Sequence, residues 1–132
     1  MSEAFQARLE NWSSAIRGNC GPNGTSSPTY TAMIALRRKF GPADDDAWVP
    51  TFSASKMIDW QDAEILSSAF LDQRLAKWDK NLLVLRYGCG SSDKSLARRF
   101  HVGERWIRRR RQIAESNFQR IVEEVDMKLE EM

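Results

Sequence analysis

The chain has a single histidine, His101, and two cysteines, Cys20 and Cys89, in 132 residues. That scarcity excludes most covalent catalysis: neither thiol has a histidine partner elsewhere, so no ordinary nucleophile and base pair can be assembled. A zinc site is excluded on the same ground, because no second Cys or His stands at ligand spacing beside "RGNCGPNG" or "YGCGSSD". No stretch approaches 18 consecutive apolar residues, and the opening "MSEAFQARLENW" lacks the basic segment and apolar run of a signal peptide. The expected setting is the cytoplasm, with reduced thiols. The acidic run "DDD" at 44–46 has no Gly or Glu at calcium-loop spacing behind it and reads as a solvated loop. No catalytic residue, metal or cofactor is expected.

What is present is a strong polarity of charge. Residues 1–76 carry 7 basic and 9 acidic side chains, residues 77–111 carry 11 and 3, and residues 112–132 carry 2 and 6. The overall balance of +2 therefore hides a central segment at +8 between ends at −2 and −4. Basic charge focused on one short segment is the electrostatic footprint of a nucleic-acid binder.

Apolar spacing predicts an all-α chain, a single helical domain over 1–132. Phe5, Leu9, Trp12 and Ile16 form one helical stripe that Gly18 can end. Glycines and prolines make 18–28 a loop, a short helix follows in "TYTAMIALRRKF", and 41–55 is loop again. A helix is expected from about Ser55 to Leu75, with Ile58, Ile65, Leu66, Ala69 and Phe70 inward and Asp59, Asp62 and Glu64 near its positive end. "KWDKNLLVLRYG" reads as a further helix closed by Gly88, with Leu82, Leu83, Leu85 and Tyr87 in the core. A last helix carries the stripe Ala114, Phe118, Ile121, Val125, Leu129 and Met132 to the end of the chain. At about two and a half heptads it is short for a coiled coil, so its expected use is to pack on the N-terminal helix. Of the five tryptophans, Trp12, Trp48, Trp60 and Trp78 are expected in the core, and Trp106, beside the arginines, is the one placed to touch nucleic acid.

Between these elements lies "SLARRFHVGERWIRRRR", residues 95–111. Ser92 is a plausible N-cap, Leu96, Ala97 and Phe100 mark the buried face of a short helix, "HVG" makes a corner, and a second helix starts near Glu104 with Ile107 inward. A small residue where two helices cross (Ala97) and an apolar residue just after the turn (Val102) are what a helix-turn-helix requires. His101 stands where the backbone tends to the left-handed region and Gly is usual; His is among the side chains enriched there. Arg110 stands where the usual motif has an aliphatic residue, which predicts a less buried second helix.

The four consecutive arginines spread round the helix axis and cannot all reach one groove. Arg105, Arg108 and Arg109 share a face away from Ile107, while Lys94, Arg98 and Arg99 on the first helix are expected to hold phosphates. Base reading falls to Glu104, Arg105, Arg108 or Arg109, with Trp106 beside them. About six cations at phosphates give a log-log salt slope of roughly −5. The competing reading is a solvated face in which the arginines pair with the acidic tail.

"LLVLRYGCGSSDKSLARRFHVGERWIRRRRQIAESNF" resembles the fourth region of bacterial sigma factors, and the module so delimited is residues 78–118. Together with "ARLENWSSAIRGNCG", which contains Leu9, Glu10, Asn11, Trp12 and Cys20, and with "IDWQDAEILSSAFL", the chain is similar to the late antitermination protein Q family of lambdoid phages and prophages. The resemblance implies a factor that binds duplex DNA near a late promoter, loads onto bacterial RNA polymerase paused there with its sigma factor, and allows readthrough of terminators. It implies a place on the nucleoid in the bacterial host cytoplasm, and no membrane partner. The loops at 18–28 and 41–55, with Trp48 and Phe52, are candidates for the polymerase contact. A helix-turn-helix repressor or activator is the alternative, and it should form a homodimer through the C-terminal helix. A metal-dependent nuclease using Asp59 and Asp62 ranks last, since carboxylates at a helix start usually cap it.

Overall fold

The computed structural model describes residues 3–17 and 58–131. The expected loops at 18–28 and 41–55, the short helix between them, the acidic run 44–46, and Cys20, Trp48, Phe52 and Met132 lie outside the described residues. Among the described residues there are five packed helices and no strand. They are α1 (Glu3–Arg17), α2 (Trp60–Phe70), α3 (Lys77–Leu83, continued by a widened turn over Val84–Gly88), α4 (Asp93–Phe100) and α5 (Glu104–Glu130).

The stripe on α1 is buried as its spacing requires: Phe5, Leu9, Trp12 and Ile16 are all in the core. Trp12 is its centre, with ring centroids 5.7 Å from Phe70 of α2, 6.1 Å from Tyr87 and 5.2 Å from Phe118 of α5. Phe5 meets Phe118 edge-on at 6.0 Å, so α5 packs on α1. The polar groups carried inward on α1 are paired. Trp12 Nε1 donates to Ser67 Oγ at 3.1 Å and Ser13 Oγ donates to the Tyr87 carbonyl at 2.7 Å. Asn11 exchanges two 2.9 Å hydrogen bonds with the backbone of Asp59, which fixes how the chain enters α2. Arg8 ties three helices together, 2.8 Å from Asp62 of α2 and 2.8 Å from Asp126 of α5.

α2 is shorter than the sequence pattern predicts. Asp59 precedes it as the N-cap and accepts from the Asp62 N–H at 3.1 Å. At the other end Asp72 turns the chain: its carboxylate accepts from the Arg74 N–H at 2.8 Å and its carbonyl from the Leu75 N–H at 3.2 Å. An Asp side chain offering the backbone this local alternative ends a helix, and Leu75 still reaches the core from the turn. Leu66, Ala69 and Phe70 are buried, and Ile58 and Ile65 pack on the core from its rim.

The helix over 77–88 also differs from its prediction. After Leu83 it widens to a π-type turn, with Cys89 N–H donating to the Val84 carbonyl at 3.1 Å. Leu82, Leu83, Leu85 and Tyr87 are buried all the same. In α5 the apolar stripe is buried at Ala114, Phe118 and Ile121 and half-buried at Val125; Val122, unanticipated, is fully buried. The expected continuation fails at Leu129, which is 48% exposed beside Met127 at 62%. No described helix is long and apolar enough to cross a membrane.

Candidate nucleic-acid interface

α4 and α5 form the corner that the sequence requires. Ser92 caps α4, accepting from the Ser95 N–H at 3.1 Å. His101 ends the helix in the left-handed region at φ 57° and ψ 44°. The Val102 N–H then reaches back to the Ala97 carbonyl at 3.0 Å, satisfying an end group that α4 would otherwise leave unpaired. Ala97 is buried at the crossing, Val102 packs against the core, and Gly103 caps α5. Ile107, one turn into α5, is fully buried.

The arginine run divides by what the neighbouring helices bring to each position. With Ile107 inward and about 100° per residue, Arg105 and Arg109 point away from the core, Arg108 leans to one flank and Trp106 and Arg110 to the other. Arg105 and Arg109 are exposed and form no ion pair among the described residues. Arg108 is exposed but tied, with Nε 3.3 Å from Asp93 and Nη2 3.5 Å from Glu104. Arg110 turns toward α3, its Nη2 2.6 Å from the buried carboxylate of Asp79. Arg111 is largely covered and bridges two acids, 2.7 Å from Asp93 and 2.6 Å from Glu115.

These pairings bear on two expectations. Among the described residues the arginines meet the acidic tail at Glu115, the partner of Arg111, while Glu124 and Asp126 are held by Arg74 and Arg8; the other acids that meet the run are Asp79 of α3, Asp93 of α4 and Glu104 of α5. Arg110 does not leave its side of α5 uncovered, because Asp79 supplies the partner that an aliphatic side chain would not need. Asn117 also donates to Asp79, at 3.1 Å.

Behind the exposed face lies an ionic cluster that the sequence reading missed. Glu115 is 1% exposed, accepts from the Tyr87 hydroxyl at 2.5 Å and pairs with Arg111. Burial, then the charge of Glu115 and its hydrogen bond, raises the Tyr87 phenol well above its ordinary value, so it stays a donor. The widened turn aims Arg86 into the same region, where Nη1 donates to the Ser91 carbonyl at 3.3 Å. Burial and then the charge of Arg111 lower the Arg86 pKa. Burial pushes the Asp93 carboxyl up, but Arg111, with Arg86 and Arg108 behind it, outweighs this and holds the group below its usual value. Gln6, Arg86, Arg111, Gln112, Glu115 and Ser116 line a polar cleft of about 620 Å³ over this cluster. The Arg111 and Glu115 spacing of four residues on one helix was the one signal of the cluster readable from the sequence.

Of the residues expected to meet DNA, Lys94, Arg98 and Arg99 are exposed on α4, and Glu104, Arg105, Trp106, Arg108 and Arg109 are exposed on the first two turns of α5. Trp106 is 48% exposed. The structure thus brings all eight to the surface of one helix pair, and separates them from Arg110 and Arg111, which serve the interior. Among the described residues no group of three or more His, Cys, Asp or Glu side chains is arranged to hold a metal ion. No family model, curated protein or solved structure matches the chain.

Proposed function

We propose that the protein is a transcription antitermination factor of phage or prophage origin, which binds duplex DNA near a late promoter through a sigma-like helix-turn-helix formed by α4 and α5 and then loads onto paused bacterial RNA polymerase. The observation that carries the DNA-binding part is the left-handed corner at His101 joining two helices whose outward faces are cationic. Arg105 and Arg109 occupy the turn from which such helices read base edges, and Lys94, Arg98 and Arg99 stand on α4 to hold the phosphate backbone. Arg108 is tied to Asp93 and Glu104, and its loss from phosphate contact would lower the magnitude of the log-log salt slope by about 1.

The polymerase part rests on the resemblance of the 78–118 module and of "ARLENWSSAIRGNCG" to the late antitermination family. A repressor or activator acting on initiation is the second reading. It is favoured by the exposed Met127 and Leu129 at the end of α5, an apolar end suited to a second copy.

Single-round transcription by host polymerase from a late promoter through a terminator separates the two. Readthrough that depends on promoter-proximal DNA is the expected result. Changed initiation with termination intact would overturn antitermination in favour of the regulator. The DNA-binding part is checked by Arg105→Ala and Arg109→Ala, each of which should weaken binding and reduce the magnitude of the salt slope by about 1. Neither should move the unfolding midpoint by more than about 0.5 kcal/mol in equivalent stability, since both side chains are exposed. Binding unchanged in the double variant would return the arginines to a solvated face.

A further inference from the structure

Trp106 has an aromatic neighbour on its inner side. Its centroid lies 6.4 Å from that of Trp78 on α3, tilted by 46°, and Trp78 is itself met edge-on by Phe100 of α4 at 4.6 Å. The indole is therefore braced on one side by Trp78, with Phe100 behind that ring, while about half of it stays in water. Leaving that much aromatic surface exposed forgoes burial that a core position would gain. A ring braced in this way loses little conformational freedom when something covers it.

Its neighbours narrow what that something is. Arg105 precedes it, Arg109 lies one turn on, and neither forms an ion pair among the described residues, so an occupant reaching the indole also meets two cations. On the reading turn of a helix in the major groove, an apolar side chain has one apolar counterpart on the base edges, the C5-methyl group of thymine. We propose that Trp106 is a specificity-determining residue that reads thymine methyl groups in duplex DNA, with Trp78, itself backed by Phe100, as the positioning residue that holds its ring at the required height. This rests on the DNA-binding reading above and adds to it the base that the site prefers.

The test removes the methyl group and leaves base pairing intact. Duplexes selected by the full chain from a random pool are resynthesised with deoxyuridine in place of thymidine, one position at a time, and their affinities measured by fluorescence anisotropy. One or two positions should lose about fourfold in affinity, the worth of one buried methyl group. Trp106→Ala should bind the thymidine duplex more weakly and no longer distinguish it from the deoxyuridine duplex. Trp78→Leu should shrink the difference while leaving contacts by Arg105 and Arg109 in place.

Equal affinity of the wild-type chain for thymidine and deoxyuridine duplexes would overturn the proposal, and that comparison needs no variant to fold. Full discrimination retained by Trp106→Ala, with its helical circular dichroism intact, would overturn it as well. Failure of the wild-type chain to select any duplex would sink the DNA-binding reading and this assignment together, an outcome distinct from selection without methyl sensitivity.

Discussion

Replacing Arg110 with alanine separates the structural arginines from the surface ones. Asp79 is 2% exposed, and its two described partners are the guanidinium of Arg110 at 2.6 Å and the Asn117 amide at 3.1 Å. Removing one partner of a fully buried pair costs about 3–5 kcal/mol, because the remaining charge is stranded away from water. Two features place Arg110 at the lower end. Its side chain is 23% exposed, so truncation admits some water, and the contact to Asp79 Oδ1 lacks hydrogen-bond alignment, so the attraction is mainly coulombic. A loss of about 3 kcal/mol is expected, a fall of roughly 1.5 M in the urea midpoint for a chain of this size. Asp79→Leu combined with Arg110→Leu removes the charge and its partner together and should recover most of that loss, since apolar replacement of a buried pair is often neutral or better. Urea unfolding followed by circular dichroism measures both variants. An unchanged midpoint in Arg110→Ala, or a double variant as unstable as the single one, would refute the assignment of Arg110 to the interior.

The Asp93 carboxyl is held below its usual value in the folded chain, so the unfolded state takes up its proton more readily. The stability it contributes is present above the unfolded value of about 4 and is lost as pH falls through the lower folded value. Asp93→Asn should therefore be destabilised at neutral pH and converge on the wild type in acid; a constant difference across urea midpoints from neutral to acid pH would contradict this. At His101, the left-handed backbone strains any residue with a Cβ, so His101→Gly should gain about 0.5 kcal/mol after its larger unfolded entropy is counted. His101→Val should lose more than about 1 kcal/mol by thermal melting, and a valine variant as stable as the wild type would remove the strain argument.

The fold was legible in the sequence wherever one helix face carried the information. Four apolar residues at helical spacing placed α1, Ser92 and His101 bounded α4, and Ile107 oriented α5. What the sequence hid were the features decided by a second element. Helical spacing alone does not distinguish a π-type turn from the α-helix it continues, so the segment around Arg86 read as ordinary helix. Asp79 and Glu115 gave no sign of their inward positions, because nothing near them in sequence announces burial except the fourth-neighbour relation of Glu115 to Arg111. The arginine run showed its charge and its spread around the axis. Which members turn inward depends on Asp79 arriving from α3 and Asp93 from the start of α4. For the candidate site, the exposed cations on α4 and α5 were readable, and the ties on Arg108 and the aromatic bracing of Trp106 were not.

The embrace of α1 by α5 bears on the order in which the fold closes. Phe5 and Trp12 are covered in part by Phe118, and Arg8 finds one of its two carboxylates at Asp126, far along the sequence. The acids that sort the arginine run, Asp79, Asp93 and Glu115, stand much closer to it in sequence. Contacts between distant residues must meet the entropy of loop closure before they stabilise anything. The α4–α5 corner and its sorted arginines are therefore expected to form ahead of the docking of α1, whose stripe is the last part of the core to be covered.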